Sequence, residues 1–228
     1  MKTSDARLYL PSVTATAIAL LVSRGYETTT VDELAAAADT SRSTFFRRFG
    51  SKEAIVFADH DFLLERLRNE LDDSTGDPFV AVQDGTRRVL EYHLQRPEAS
   101  RGRHELLQHN PALRDRELVA SHEYERTFAS FLRKRVEHPD DRDWVLVTLA
   151  AALVSTHNFV LRAWLRDSLV DASALLAARL AEVVGAIRPL LRTADDRPEP
   201  ESQVVVAVLR AGETPAQALA RIAATLGG

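Results

Sequence analysis

Residues 30–53 read TVDELAAAADTSRSTFFRRFGSKE, and the order of features in this stretch decides how the chain folds. Thr30 and Glu33 make a Thr-x-x-Glu capping box, in which each side chain satisfies a free amide of a helix's first turn. Val31, Leu34, Ala35 and Ala38 then recur at helical spacing, giving a narrow apolar face whose alanines let a second helix come close. Asp39-Thr40 is a turn, because Asp tolerates the left-handed backbone better than most residues with a side chain. Ser41 caps the next helix, worth about 1 kcal/mol. On that helix Phe45 and Phe49 stand four apart and point inward, leaving Arg42, Ser43, Thr44, Phe46, Arg47 and Arg48 on the outer side. Ser51 and Lys52 open a third helix, where free amides and an ammonium suit a phosphate. From Thr40 to Lys52 there are four cations and no acid. A lone arginine pair would be only a solvated face. Cap, alanine face, turn and basic helix in this order predict a helix-turn-helix that lies against double-stranded DNA.

The bulk of the chain frames that reading. Its 228 residues carry a net charge of −4 and contain no cysteine. A disulfide framework and a thiolate metal site are thereby excluded. Residues 1–52 hold seven Lys or Arg against five Asp or Glu, so this end is +2 and the remainder −6. A basic head on an acidic body suits a protein that presents one end to a polyanion. Val13 to Val22 is apolar behind Lys2 and Arg7, superficially like a signal peptide. Val13, Ala17, Leu20 and Leu21 nevertheless make a helical stripe, with Thr14, Thr16 and Ser23 largely off it, and Pro11 sits where a first helical residue is favoured. We read this segment as the first helix of the DNA-binding head. No stretch is read as a membrane span, and a cytoplasmic location is expected.

Over its first sixty or so residues the chain resembles the TetR-type transcriptional regulators. The resemblance runs from Val13 through AIALLVSRGYETTTVDELAAAADTSRSTFFRRFGSKEAIVFAD. The Gly25-Tyr26 turn, Thr29-Thr30-Val31, Leu34-Ala35, Ser41, Thr44, Phe49 and Ser51-Lys52-Glu53 match the family's pattern. Asp39 stands where glycine is usual, Thr40 where valine is usual, and Phe46 in place of a common tyrosine. That last change removes a hydroxyl that often touches phosphate, so weaker backbone anchoring is expected at that point, with Arg47 and Arg48 as the candidates to compensate. Thr44-Phe45-Phe46-Arg47 and Asn110-Pro111-Ala112-Leu113-Arg114 are similar to a TetR subgroup linked to redox-cofactor (mycofactocin-type) systems and acyl-CoA sensing. The resemblance implies an all-α fold, a helical body that senses a small molecule, and pairing of the last two helices with a second copy's in a four-helix bundle.

Beyond Lys52 the sequence reads as helix after helix. Glu53–Leu71 is amphipathic, Ser74–Pro78 is a turn, Phe79–Gln95 is stopped by Pro97, and a shorter helix covers Ala99–Gln108. Asn110-Pro111 begins a long helix to Val136, Pro139 starts a nearly all-apolar one through Trp144–Ser155, and the last runs over 172–191. The expected divisions are an arm (1–10), a helix-turn-helix head (11–52), a ligand-binding and dimerising body (53–193), a linker (194–202) and a strand-helix extension (203–228). In the extension, Gln203–Leu209 has strand character with three consecutive valines. A lone strand leaves backbone groups unpaired, so the expectation is that it pairs across a dimer, the alternatives being that the tail packs irregularly on its own body or is disordered.

Polar groups on otherwise apolar body helices are candidates for effector contact: Tyr92, His93, His104, Tyr124, His157 and Asn158, with Trp164 closing the apolar run that His157-Asn158 interrupts. A buried histidine satisfied by a neighbour is the competing reading of His157. Arg101, Arg103, Arg114 and Arg116 are candidate cations for an acyl-CoA. The seven histidines have no spacing that demands a metal, and no cofactor is expected. With no nucleophile–base pair or glycine-rich phosphate loop, the chain does not read as an enzyme. The expected function is a ligand-responsive repressor, a homodimer released from a palindromic operator by an apolar or amphipathic molecule. Arg42, Ser43, Thr44 and Arg47 are expected at base edges, and Thr30, Phe46, Arg48 and Lys52 at phosphates. The alternative is an architectural or partner-binding helix-turn-helix protein without an effector.

Overall fold

The computed structural model describes residues 10–137 and 140–191, and every structural statement below is made of these. Most of the expected arm, the whole of the linker and the strand-helix extension lie outside them. The described residues form ten α-helices and no strand. Three compose the head: α1 (Leu10–Arg24), α2 (Val31–Ala37) and α3 (Arg42–Phe49). A short α4 (Lys52–Val56) leads into the body helices α5 (Ala58–Asp72), α6 (Pro78–Leu94), α7 (Pro97–His109), α8 (Pro111–Arg135), α9 (Asp143–Arg166) and α10 (Ala172–Ile187).

Local chemistry sets most boundaries. Proline at the first turn, where a missing N–H costs nothing, opens α6, α7 and α8. Pro189 turns the end of the expected last helix into a 3-10 turn over Arg188–Leu191. The expected continuous helix from Glu53 to Leu71 is broken at Phe57, whose backbone leaves the helical region (φ −118°, ψ 9°). A side chain from elsewhere takes the carbonyl that the break releases: Arg103 Nε donates to Val56 O at 3.0 Å. Sequence periodicity does not register such a partner.

Two apolar cores result. One fills the head from Val13, Ile18, Leu21, Leu34, Phe45 and Phe49, and it extends to Leu106, Leu107 and Leu113 of α7 and α8. The other fills the body between α5, α6, α8, α9 and α10. The head is therefore seated on the body through α7, which lies along α1. Gly102 permits the close approach, since a Cβ there would meet Ile18 Cγ2 at 2.7 Å. Thr14, read as off the apolar stripe of α1, is instead 1 % exposed, because the stripe is wide enough to include it. At 24 residues, with a stretch of mean hydropathy 1.7, α9 is long and apolar enough to cross a membrane by composition, contrary to the sequence reading. Its Leu146, Leu149, Leu153 and Val160 nonetheless belong to the body core, each buried.

Candidate nucleic-acid interface and effector cavity

The interface is built by α2 and α3. Thr30 caps α2 with its hydroxyl on the Glu33 amide, and the Glu33 carboxylate accepts from Thr30 N at 2.8 Å, completing the capping box. Asp39 adopts φ 49°, the left-handed turn conformation anticipated for it. Ser41 caps α3 at Thr44 N, and Gly50 ends it with φ 79°. Phe45 and Phe49 are buried at 0 % and 9 % exposure, their rings tilted against each other with centroids 5.2 Å apart. Fixing that inner face leaves Arg42, Ser43, Phe46, Arg47 and Arg48 exposed on the outer one, with Thr44 half-buried beside them.

Arg42 and Lys52 have protein partners, and Arg48 lies over the Phe49 ring at 5.4 Å. Arg42 forks onto Asp32 of α2 at 2.9 and 3.0 Å and lies over the Phe46 ring. Both side chains are more than half exposed, so the pair is weak and exchangeable for a stronger anion. Lys52 turns its ammonium onto Tyr26 O at 2.5 Å and over the Tyr26 ring. Tyr26 in turn donates its hydroxyl to Glu53, and burial followed by this carboxylate pushes the phenol up. Lys52 thus fixes the α1–α2 loop against the start of α4.

A second site lies at the joint between head and body. Arg103 of α7 is buried and binds both Asp59 oxygens at 2.6 Å, Val56 O, and His60 Nε2 at 3.3 Å. Tyr92 completes the Asp59 shell with its hydroxyl at 3.0 Å. Burial alone would raise the Asp59 carboxyl, but the Arg103 charge, His60 and these hydrogen bonds outweigh it and hold the pKa below the ordinary value. Beyond Arg103 is a cavity of about 80 Å³, walled by Phe57, Val89, Leu107, Phe128, Val154 and Leu161 and bearing the polar groups His60, His93, Tyr124, His157 and Asn158. The histidine rings form a chain, with His60–His93 and His93–His157 centroids both 5.8 Å apart. Burial pushes all three imidazoles down, His60 to about 4.

Three polar atoms here, His60 Nδ1, Tyr124 Oη and His157 Nε2, are buried without a protein partner. Leaving such a group unsatisfied costs about 1–3 kcal/mol, so three on one cavity mark a place built for something other than stability. Of the anticipated effector residues, His93, Tyr124, His157 and Asn158 line the cavity together, and so does His104. Tyr92 and Trp164 do not. Tyr92 supports Asp59, and Trp164 carries Arg101 over its ring at 5.2 Å. Sequence reasoning missed His60 and the Asp59–Arg103 pair, since only the folded chain brings positions 59 and 103 together. The lone signal was an Asp-His pair just inside a helix start. No group of His, Asp or Glu that could hold a metal occurs among the described residues.

Comparison with known proteins places the chain. The sequence profile of the bacterial regulatory proteins of the tetR family matches residues 13–58, and that of the MftR C-terminal domain matches residues 77–188. The chain belongs to the TetR family. A protein of Mycobacterium tuberculosis named as the mycofactocin biosynthesis transcriptional regulator MftR is 28 % identical over 174 residues, 75 % of this chain and 86 % of that one. FadR of Bacillus subtilis, solved with stearoyl-CoA, shares the fold at TM-score 0.57 and 17 % identity, covering 77 % of this chain and 97 % of its own. SmeT, solved with triclosan, does so at TM-score 0.57 and 16 % identity, covering 86 % and 100 %. In this TetR-family chain, α1–α3 are accordingly the part that a transcription regulator of the family turns to DNA.

Proposed function

We propose that this TetR-family regulator is a ligand-responsive repressor that binds a two-fold operator as a homodimer and is released when an effector enters the cavity behind Arg103. The observation that carries the reading is the shared wall between cavity and joint: Arg103 bonds Val56 O, the end of the short α4 that joins head to body, while its other donors face Asp59 and His60. A molecule that favours a different setting of this wall shifts the angle at which α3 is presented, and only differential affinity for the two settings drives the change. The ligands held by FadR and SmeT lend support by their chemistry, since both are apolar or amphipathic.

The functional head is residues 11–52 and the sensing and dimerising body residues 53–193. Arg42, Ser43, Thr44 and Arg47 read base edges, and Thr30, Phe46 and Arg48 position the head on the backbone, while Lys52, expected at a phosphate but turned inward, acts through the α1–α2 loop that it holds. Arg42 must leave Asp32 to do so, which makes the Asp32 carboxylate a competitor for the same guanidinium. The second copy docks on the outer face of α9 and α10. There Trp144, Val147 and Phe159 are 51 %, 43 % and 58 % exposed, beside a run of small residues, Ala174, Ala178, Ala181 and Gly185, that allows close helix approach. Two copies then set two recognition helices about 34–36 Å apart, the spacing of successive major grooves. A gel shift of the chain with its own upstream DNA, challenged by unrelated duplex at moderate salt, tests the reading. Selective retention is expected. Salt-sensitive binding to every duplex alike would instead fit an architectural protein.

A further inference from the structure

We infer that the cavity selects an uncharged head group that both donates and accepts a hydrogen bond, a hydroxyl or primary amide on an apolar body, and discriminates against a carboxylate or ammonium. The inference rests on reading the cavity as the effector site and names the chemistry that site takes.

Hydrogen-bond bookkeeping leads to this chemistry. A guanidinium only donates, so His60 Nε2, 3.3 Å from Arg103 Nη1, is the ring's acceptor and Nδ1 carries the proton. That proton has no protein acceptor. The Asn158 amide nitrogen points to Ser121 Oγ at 3.3 Å, which turns its carbonyl to His157 Nδ1 at 3.1 Å. His157 therefore donates from Nδ1 and offers a bare lone pair at Nε2, also without a partner. Tyr124 adds a hydroxyl, its ring edge-on to His60 at 5.9 Å. Both Tyr124 and His157 are more than nine-tenths buried. The cavity thus presents one donor, one acceptor and one group capable of either role, which a carbonyl with an adjacent N–H, or a hydroxyl, satisfies.

Charge is excluded by what the cations already hold. Arg103 is neutralised by Asp59 at 2.6 Å, and Arg162, at the cavity's edge, by Glu117 at 3.3 Å. Arg114, an expected acyl-CoA contact, is turned to the Leu107 and Gln108 carbonyls. A carboxylate entering here would lose its hydration and find no free counter-charge. The volume of about 80 Å³ also favours a compact head.

Calorimetric titration of the full chain with hexanamide, hexanoate and hexylammonium at neutral pH tests the assignment. Hexanamide is expected to bind at least about tenfold more tightly than either ion. Tyr124→Phe keeps the ring and deletes the unpartnered hydroxyl. It should weaken hexanamide about tenfold while leaving the melting temperature equal or higher, whereas a merely structural hydroxyl would lower it. Hexanoate binding as tightly as hexanamide would overturn the inference, because His157 would then carry its proton on the cavity side. So would absence of hexanamide binding up to its solubility, or an unchanged affinity in Tyr124→Phe. A gel shift of the same preparation separates the two readings. Loss of operator selectivity there removes the regulator, whereas a selective shift with no preference for hexanamide removes only the head-group assignment.

Discussion

Arg103 and Arg133 both pair with an aspartate at 2.6 Å, yet their surroundings give them different weights. Arg133 and Asp143 are 44 % and 42 % exposed, against 8 % and 5 % for Arg103 and Asp59. Water screens the first pair, and Arg133→Ala should cost no more than about 1 kcal/mol. Arg103→Met leaves a buried carboxylate without its partner and should cost about 3–5 kcal/mol, read as a lower urea midpoint at unchanged slope. The histidine chain adds a pH dependence. The folded protein holds His60, His93 and His157 neutral, while the unfolded chain takes up protons near pH 6.5. Their contribution is therefore intact above that pH and declines as pH falls, and His60's loss is complete at about 4. Melting temperature measured across this window should fall with acidity and be flat on the alkaline side. On the DNA face, Arg42→Ala should relax base preference by about 1–3 kcal/mol at one position, whereas Lys52→Ala should weaken all sequences together. Competition binding on a panel of single-base operator variants distinguishes them, and equal effects of both on every sequence would refute the division of roles.

Among the helices, α7 joins what the sequence reading had separated. Its Leu106 and Leu107 belong to the head core, its Arg103 to the joint and its His104 to the cavity. The contact with α1 is tight at Gly102, where a Cβ would stand 2.7 Å from Ile18 Cγ2 and 3.3 Å from Val22 Cγ2. Those methyl groups branch directly from Cβ and cannot swing away, so Gly102→Ala should destabilise by about 1–3 kcal/mol. Gly85→Ala is the matched control. Its added carbon would meet Leu67 Cδ1 at 2.6 Å, the far end of a flexible side chain, and its melting temperature should move less. The head's own helices were legible beforehand because their signals are local. Capping box, turn aspartate and serine cap act within four residues, and all three appear where the sequence placed them. The break at Phe57 was not, since it depends on a guanidinium 47 residues beyond Val56.

For the whole molecule, the charge asymmetry and the unburied stripe of α9 point the same way. A +2 head and a −6 remainder orient the chain on a polyanion, and a short recognition helix gains length of contact only through a twin. Phe159 is 58 % exposed, so Phe159→Glu should leave the protomer folded by circular dichroism. In a dimer joined through this face it should weaken association by on the order of 2 kcal/mol, roughly thirtyfold. Sedimentation across a concentration series should then show monomer where the unaltered chain is dimeric. An unchanged dimer would move the interface elsewhere.

By itself the sequence determined the helical class, the helix-turn-helix and its outward arginines, because periodicity and capping are written in neighbouring residues. It also marked His93, Tyr124, His157 and Asn158 as polar interruptions of apolar helices. Only tertiary structure decided that these converge on one cavity with His60, that Tyr92 and Trp164 stand outside it, and that Lys52 turns inward. Burial and hydrogen-bond completeness depend on residues far apart in the chain meeting in space. No window of sequence contains both Asp59 and Arg103 as a pair, nor shows that three polar atoms beside them would be left without partners.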